Sequence, residues 1–368
     1  MLKDRIEKVK QMLNKEKTDA VLVSSVFNIT YLSGFTNFSE KEREAYIFIG
    51  KDFAYIITDE RYTEAIKRQV PYLTLFERGH KKSTKDLFKK HQKKIKWLGI
   101  EEDNLTVAEH KILSRHFKKI KHFDVGNLRS IKTKEEISKI EKACKIGDLA
   151  FEFILKKIEN GISEKQVVEE LENFIRGKGA VVSFPPIVAF GKNSSIPHHQ
   201  TGDSILGPES SSGREGQIIL LDFGVKYDDY CSDMTRTVFF GKPTSQQKTM
   251  YETVLQSQQK AVDFVNSATV AGKEVKAAEV DKVARDYIIS RKYPAIPHSL
   301  GHGIGLEVHE HPSLSPKSKE ILKEGMVFSI EPGIYLPGIG GVRIEDLLVF
   351  EKGGLRQLTH SQKKLTVI

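Results

Sequence analysis

IILLDFGVKYDDYCSDMTRTVFF, residues 218–240, reads as two apolar runs around a short polar turn, the pattern of a β-hairpin. A single charge, Asp222, breaks the run from Ile218 to Phe223, and Asp233 stands in the run from Cys231 to Phe240. A two-residue turn at Tyr227 and Asp228 would set Asp222 directly opposite Asp233 on one face. Opposed residues bring their Cβ atoms to about 5 Å, and like charges there destabilise the pair unless something positive lies between them. A metal cation answers that need. The alternative is a solvent-facing hairpin whose carboxylates merely repel.

Further along lies HSLGHGIGLEVHE, 298–310, where three of the chain's 12 histidines, His298, His302 and His309, cluster and Gly301, Gly303 and Gly305 surround the middle one. Glycine lets backbone approach closely, which suits a ligand reaching into a crowded pocket. Alone, a glycine-flanked histidine serves equally as a ligand or as a buried, hydrogen-bonded ring. Val327 to Ile330 then runs into Glu331 at a turn, and a charge ending a buried run costs several kcal/mol unless it is paired or bound to metal. In VRIEDL, 342–347, strand alternation puts Arg343 and Glu345 on one face. Either segment alone could be a strand with a surface salt bridge. Taken together, Asp222, Asp233, Glu331 and Glu345 supply four negative charges that two divalent cations neutralise, and His302 adds a neutral ligand. Mostly hard carboxylate donors point to Mn²⁺, with Co²⁺ or Zn²⁺ possible. Two ions about 3.5–4 Å apart hold a bridging water, lower its pKa and polarise a carbonyl, so hydrolysis through a metal-bridging hydroxide is the implied chemistry.

Working backward from this region, 368 residues predict two domains. Met1 to Lys17 is an amphipathic helix with Leu2, Ile6, Val9 and Leu13 on one face, and it lacks a secretory apolar stretch. Strands are expected at Ala20 to Ser24, Ala45 to Ile49, Phe53 to Thr58 and Trp97 to Glu101, giving an α/β layer that finishes near Asp124. Thr133 with Glu136 and Ser163 with Gln166 are capping boxes opening two helices, so the boundary is placed between 130 and 131. Helices from about Ser245 to Phe264 and Lys276 to Arg291 interrupt short strands, making residues 131–368 α+β.

Composition narrows the function. Hydrophobic residues at 39% and charged residues at 29% suit a globular domain, and no apolar run of about 18 residues could span a bilayer. Two cysteines exclude a disulfide framework and fit a reducing cytoplasm. The net charge of +9 concentrates at Lys81 to Lys96, where Leu87, Phe88 and Ile95 interleave the lysines. That pattern reads as the wet side of a helix leading into a strand, with no nucleic-acid motif beside it.

LLDFG at 220–224, CSDMTRT at 231–237, HSLGHGIGLEVHE at 298–310, SIEPGIY at 329–335 and GVRIED at 341–346 resemble, in order and spacing, the pita-bread metallopeptidases, which include aminopeptidase P, prolidase and methionine aminopeptidase. YLSGF at 31–35 and TDERYTEA at 58–65 resemble the N-terminal domain of creatinase, prolidase and aminopeptidase P, which argues against methionine aminopeptidase. The resemblance implies an α/β N-terminal domain (1–130), an α+β pita-bread catalytic domain (131–368), a homodimer and proline-containing peptides as substrates. It places the five metal ligands on Asp222, Asp233, His302, Glu331 and Glu345. It also makes His198 and His309 substrate and intermediate binders, His298 a shaper of the proline pocket, Glu331 a proton shuttle and Arg343 an ordering residue. Two departures stand out. The serine-rich stretch from Gly207 to Gly213 looks longer than the family's. Ser313 occupies the place where short microbial prolidases carry an arginine able to clamp a dipeptide's carboxylate. On that ground the reading favours a Xaa-Pro aminopeptidase, with a Xaa-Pro dipeptidase as the alternative. A metal-free creatinase-like hydrolase and an inactive binding module are remoter, since no ligand is missing.

Overall fold

A computed structural model describes residues 2–80, 82–207 and 216–368. Lys81 and most of the serine-rich stretch, from residue 208, lie outside the described residues. The chain divides into two compact units, residues 1–129 and 130–368.

In the first unit, strands β1 (Ala20–Val23), β2 (Tyr46–Gly50), β3 (Ala54–Thr58), β4 (Thr74–Glu77), β5 (Leu98–Ile100) and β6 (Ile120–His122) form one sheet in the order β4-β3-β2-β1-β5-β6. Every residue of the apolar β1 is buried because it is flanked on both sides, antiparallel by β2 and parallel by β5. Helices α1 (Leu2–Lys15), α2 (Val26–Ser33), α3 (Thr63–Gln69), α4 (Thr84–His91) and α5 (Val107–Ser114) intersperse the strands. On α1 the expected stripe of Ile6, Val9 and Leu13 is buried. On α4 Leu87, Phe88 and His91 turn inward while Lys85, Lys89 and Lys90 are exposed, the wet face read from the sequence. Strands β4 and β6 were not expected. Both are sheet edges with no fully buried residue, so neither carries the apolar alternation that marks a strand.

In the second unit, α6 (Lys134–Leu155) and α7 (Glu164–Gly177) open on the two capping boxes, with Thr133 accepting from Glu136 N and Ser163 from Gln166 N. Strands β7 (Val181–Val182), β8 (Ile187–Phe190), β9 (Gln217–Phe223), β10 (Val225–Tyr227), β11 (Tyr230–Cys231) and β12 (Met234–Phe240) follow. Then come α8 (Ser245–Val270) and α9 (Ala277–Ser290). Strands β13 (Gly301–Gly303), β14 (Glu310–Leu314), β15 (Val327–Ile330), β16 (Gly333–Leu336), β17 (Gly340–Arg343), β18 (Asp346–Glu351) and β19 (Gly354–Gln357) complete the unit. The order β12-β9-β8 makes one sheet, β14-β13-β15-β18-β19 another, and β16 pairs with β17. α8 runs six residues past the expected end at Phe264, to Val270.

β9 is buried on both faces and separates two cores. Ile219, Leu221 and Phe223 pack with Phe151 and Ile154 of α6 and Leu171 of α7, whereas Ile218 joins Met250 and Val254 of α8 and Val280 and Ala284 of α9. Asp222 therefore sits on the face that Ile218 begins.

The hairpin register differs from the expected one by two residues. Tyr227 pairs with Tyr230, so the turn falls on Asp228 and Asp229, whose φ values of 48° and 68° are the left-handed pair a two-residue hairpin turn requires. Aspartate tolerates that conformation better than Tyr227 would. Asp222 consequently faces Thr235, and Asp233 becomes its diagonal neighbour just before β12. A slip of one residue would have reversed the faces; a slip of two leaves both carboxylates on the same side. Among the described residues, no helix is long and apolar enough to cross a membrane.

Candidate metal centre

The carboxylate of Asp233, the imidazole of His302 and the carboxylate of Glu345 each offer one ligand atom, and these atoms lie within 4.8 Å of one another. Glu331, immediately after β15, brings Oε1 to 3.3 Å from His302 Nε2, and Asp233 Oδ2 is 3.6 Å from the same nitrogen. Asp222 faces the same pocket from β9, but its Oδ2 is bonded to Arg343 Nη2. All five sequence-expected ligands thus line one cavity, and three of them form the tight group.

Backbone approach explains the glycines around His302. A Cβ at Gly301 would sit 1.9 Å from Ser329 O, and one at Gly303 would sit 2.0 Å from His311 O. Only glycine lets β13 lie this close to its neighbours and carry His302 inward. The ring is oriented by its own backbone, with Nδ1 3.1 Å from Gly303 O. A carbonyl only accepts, so Nδ1 holds the proton and Nε2 turns a bare lone pair toward the carboxylates. Burial, with His309 adding to it, lowers the His302 pKa to about 4, so the ring is neutral at pH 7.

The carboxylates are held the opposite way. Burial first, then the charge of Glu345, pushes Asp233 and Glu331 well above the ordinary carboxylate range. Glu345 rises to about 7 through burial and the charge of Asp222, although Thr235 donates a 2.7 Å hydrogen bond to its Oε2. Asp222 is raised by burial against the opposing pull of Arg343. Among the described residues, Asp233 Oδ1 and Glu345 Oε1 are buried without a hydrogen-bond partner. Lone pairs and charge converging on one dry point, with orphaned oxygens aimed into it, fit a cation.

The cavity encloses about 320 Å³ and its wall includes His198, His298, His309, Ser313 and Arg343, all in the second unit. His309 stacks edge-on to His302 at 4.3 Å between ring centres. His298 Nε2 lies 2.9 Å from the Tyr335 hydroxyl, which also takes a 2.9 Å bond from Arg343 Nη1. Burial lowers the His298 pKa to about 4 and raises that of Tyr335 to about 12.

Residues 138–352 match the metallopeptidase family M24, and residues 5–131 match the creatinase/prolidase N-terminal domain. The chain belongs to metallopeptidase family M24. This M24 chain is 34% identical to the Xaa-Pro dipeptidase of Pyrococcus horikoshii over 99% of both chains. It superposes on the Xaa-Pro dipeptidase from Bacillus anthracis with a TM-score of 0.89 at 34% identity, covering 100% of each chain. On the X-Pro aminopeptidase from Thermotoga maritima the TM-score is 0.80 at 33% identity, covering 96% and 98%. The two-domain pita-bread fold implied by the sequence motifs is therefore present.

Three residues of the M24 centre escape the sequence reading. Thr235 donates to Glu345 and accepts from Arg343 Nε at 3.0 Å; Ser329 donates to Glu331 Oε1 at 3.2 Å and accepts from His302 N at 3.1 Å; Tyr335 links His298 to Arg343. In a strand these are ordinary residue types. Their one signal is alternation: Thr235 shares the face of Asp233, as Ser329 shares that of Glu331.

Proposed function

We propose that the protein is a metal-dependent Xaa-Pro dipeptidase whose ions are held by Asp222, Asp233, His302, Glu331 and Glu345. The carrying observation is the cluster of buried Asp233 and Glu345, each with an unpartnered oxygen among the described residues, and half-buried His302 in the wall of a small pocket. Hard oxygen donors in the majority favour Mn²⁺. Bound divalent cations supply Lewis acidity and an activated water at neutral pH. The protein's own groups do the rest. Glu331, its carboxyl pushed up by burial, takes and returns a proton beside His302. Arg343 anchors Asp222 and, through Tyr335, sets the ring of His298. His198 and His309 offer ring N–H groups to the substrate's carbonyl and carboxylate oxygens.

The dipeptidase reading replaces the sequence preference for an aminopeptidase. Ser313 does line the pocket, so the arginine clamp is missing where it was sought. That removes one way to hold a free carboxylate, and the three histidines provide another. A cavity of about 320 Å³ falls at the small end of the ~300–1,000 Å³ typical of ligand pockets, which suits a dipeptide. Full-length kinship with the Xaa-Pro dipeptidases of P. horikoshii and B. anthracis supports the same reading. The test compares kcat/KM for Xaa-Pro dipeptides and Xaa-Pro-Yaa tripeptides with Mn²⁺. Faster dipeptide cleavage is expected; faster tripeptide cleavage would return the aminopeptidase reading.

A further inference from the structure

His198 is an exposed residue of the pocket wall, and its ring makes no hydrogen bond among the described residues. Something other than its own side chain must therefore set its position. The turn carrying it is closed by His199 N donating to Ile196 O at 3.1 Å, and is fastened on one side by Arg343 Nη1, 3.3 Å from Pro197 O. On the other side stands Glu164.

Glu164 is the first residue of α7, and its side chain is fully buried. One carboxylate oxygen accepts from Phe190 N at 2.8 Å and Asn193 Nδ2 at 2.9 Å; the other lies 2.9 Å from His199 Nε2 and accepts from Gly202 N at 3.0 Å. Two donors per oxygen, in a dry site at a helix N-terminus, satisfy a carboxylate completely. Those donors come from both ends of the segment 190–202 and from its middle. The carboxylate thus works as a clamp on a segment whose only pocket-facing histidine is His198. His199, 13% exposed, is the arm of the clamp adjacent to His198 in sequence.

We propose that Glu164 and His199 are positioning residues that hold the Pro197–His199 turn so that His198 faces the substrate. The kinetic part of the test rests on the peptidase reading above. Glu164→Ala would strand the buried Phe190 N and take an acceptor from three part-buried donors at once, endangering folding, so His199 carries the experiment. His199→Ala is expected to lower kcat/KM for a Xaa-Pro dipeptide about tenfold, mostly in kcat, with bound metal unchanged, the size of coupling between residues in one network. His199→Gln keeps a donor near the position of Nε2 and restores most of the loss. In a His198→Ala background, His199→Ala changes the rate less than about twofold, because the residue it positions is gone. An equal loss in both backgrounds, or a harmless His199→Ala, overturns the proposal. A crystal structure of Mn²⁺-loaded His199→Ala decides independently of activity: a displaced His198 ring supports the clamp, and an unmoved turn refutes it. If the unmodified enzyme cleaves no Xaa-Pro peptide, the peptidase reading fails, and the crystal structure still decides whether the clamp exists.

Discussion

Glu345→Gln separates the cost of the cluster from its use. In the metal-free protein Glu345 is 2% exposed, its Oε1 has no hydrogen-bond partner among the described residues, and burial pushes its pKa up to about 7 from an ordinary 4.5. A folded-state pKa above the unfolded one means the fold resists losing the proton. The penalty is absent below about pH 4.5, grows as the pH rises toward 7 and is complete above it, reaching on the order of 3 kcal/mol. Glutamine keeps an acceptor for Thr235 and carries no charge, so it removes the penalty and also relieves Asp233 and Glu331, both raised by the Glu345 charge. Urea unfolding of chelator-stripped protein at pH 8 should therefore show the variant more stable than the wild type, by roughly 1 M in midpoint for an m-value of about 3 kcal/mol/M. At pH 4.5 the two midpoints should converge. With Mn²⁺ the order reverses: at a thousandfold excess over Kd the wild type gains about 4.1 kcal/mol, more than the penalty it carries, whereas the variant, short of a ligand, gains little and loses at least ~100-fold in activity. A metal-free variant no more stable than the wild type at pH 8 would refute the claim that these carboxylates converge without compensation.

Three further outcomes test the frame around the cluster. Thr235→Val keeps shape but leaves Arg343 Nε unpaired and Glu345 without its donor, so metal affinity by titration should fall ~10–100-fold and stability by about 1–3 kcal/mol. Gly301→Ala forces a carbon to 1.9 Å from Ser329 O and should cost about 3 kcal/mol or more in thermal unfolding, or prevent folding altogether. Ser313→Arg adds a guanidinium to the pocket wall and should lower KM for Xaa-Pro dipeptides about tenfold while leaving tripeptides nearly unchanged, measured as a ratio of the two kcat/KM values.

The legible parts of the fold are those in which one residue type has one local use. Thr133 and Ser163, each three residues ahead of Glu or Gln, cap helices, and the α1 stripe recurs at helical spacing. The β4 and β6 edges were invisible because a strand with one neighbour and no buried face leaves no periodic trace. The end of α8 was misplaced because Val265 to Val270 contains no glycine or proline to stop it.

At the centre the division falls between groups that must be ionisable and groups that only hold them. Carboxylates and a glycine-flanked imidazole are conspicuous because burying them is expensive, so each interrupts an apolar run. Thr235, Ser329 and Tyr335 cost nothing unusual where they stand, and they become visible only when the sheet brings Thr235 to Glu345 and Tyr335 to both His298 and Arg343. The hairpin shows why the conspicuous set survived an error in register. Its turn was misplaced, yet the shift of two residues left Asp222 and Asp233 on one face, since side-chain direction has a period of two. What the shift changes is the partner: Thr235, not Asp233, stands opposite Asp222, and its hydroxyl links Arg343, which holds Asp222, to Glu345. Asp233 is set two residues along its strand from the position opposite Asp222, and the residue that takes that position is the one that orients Glu345.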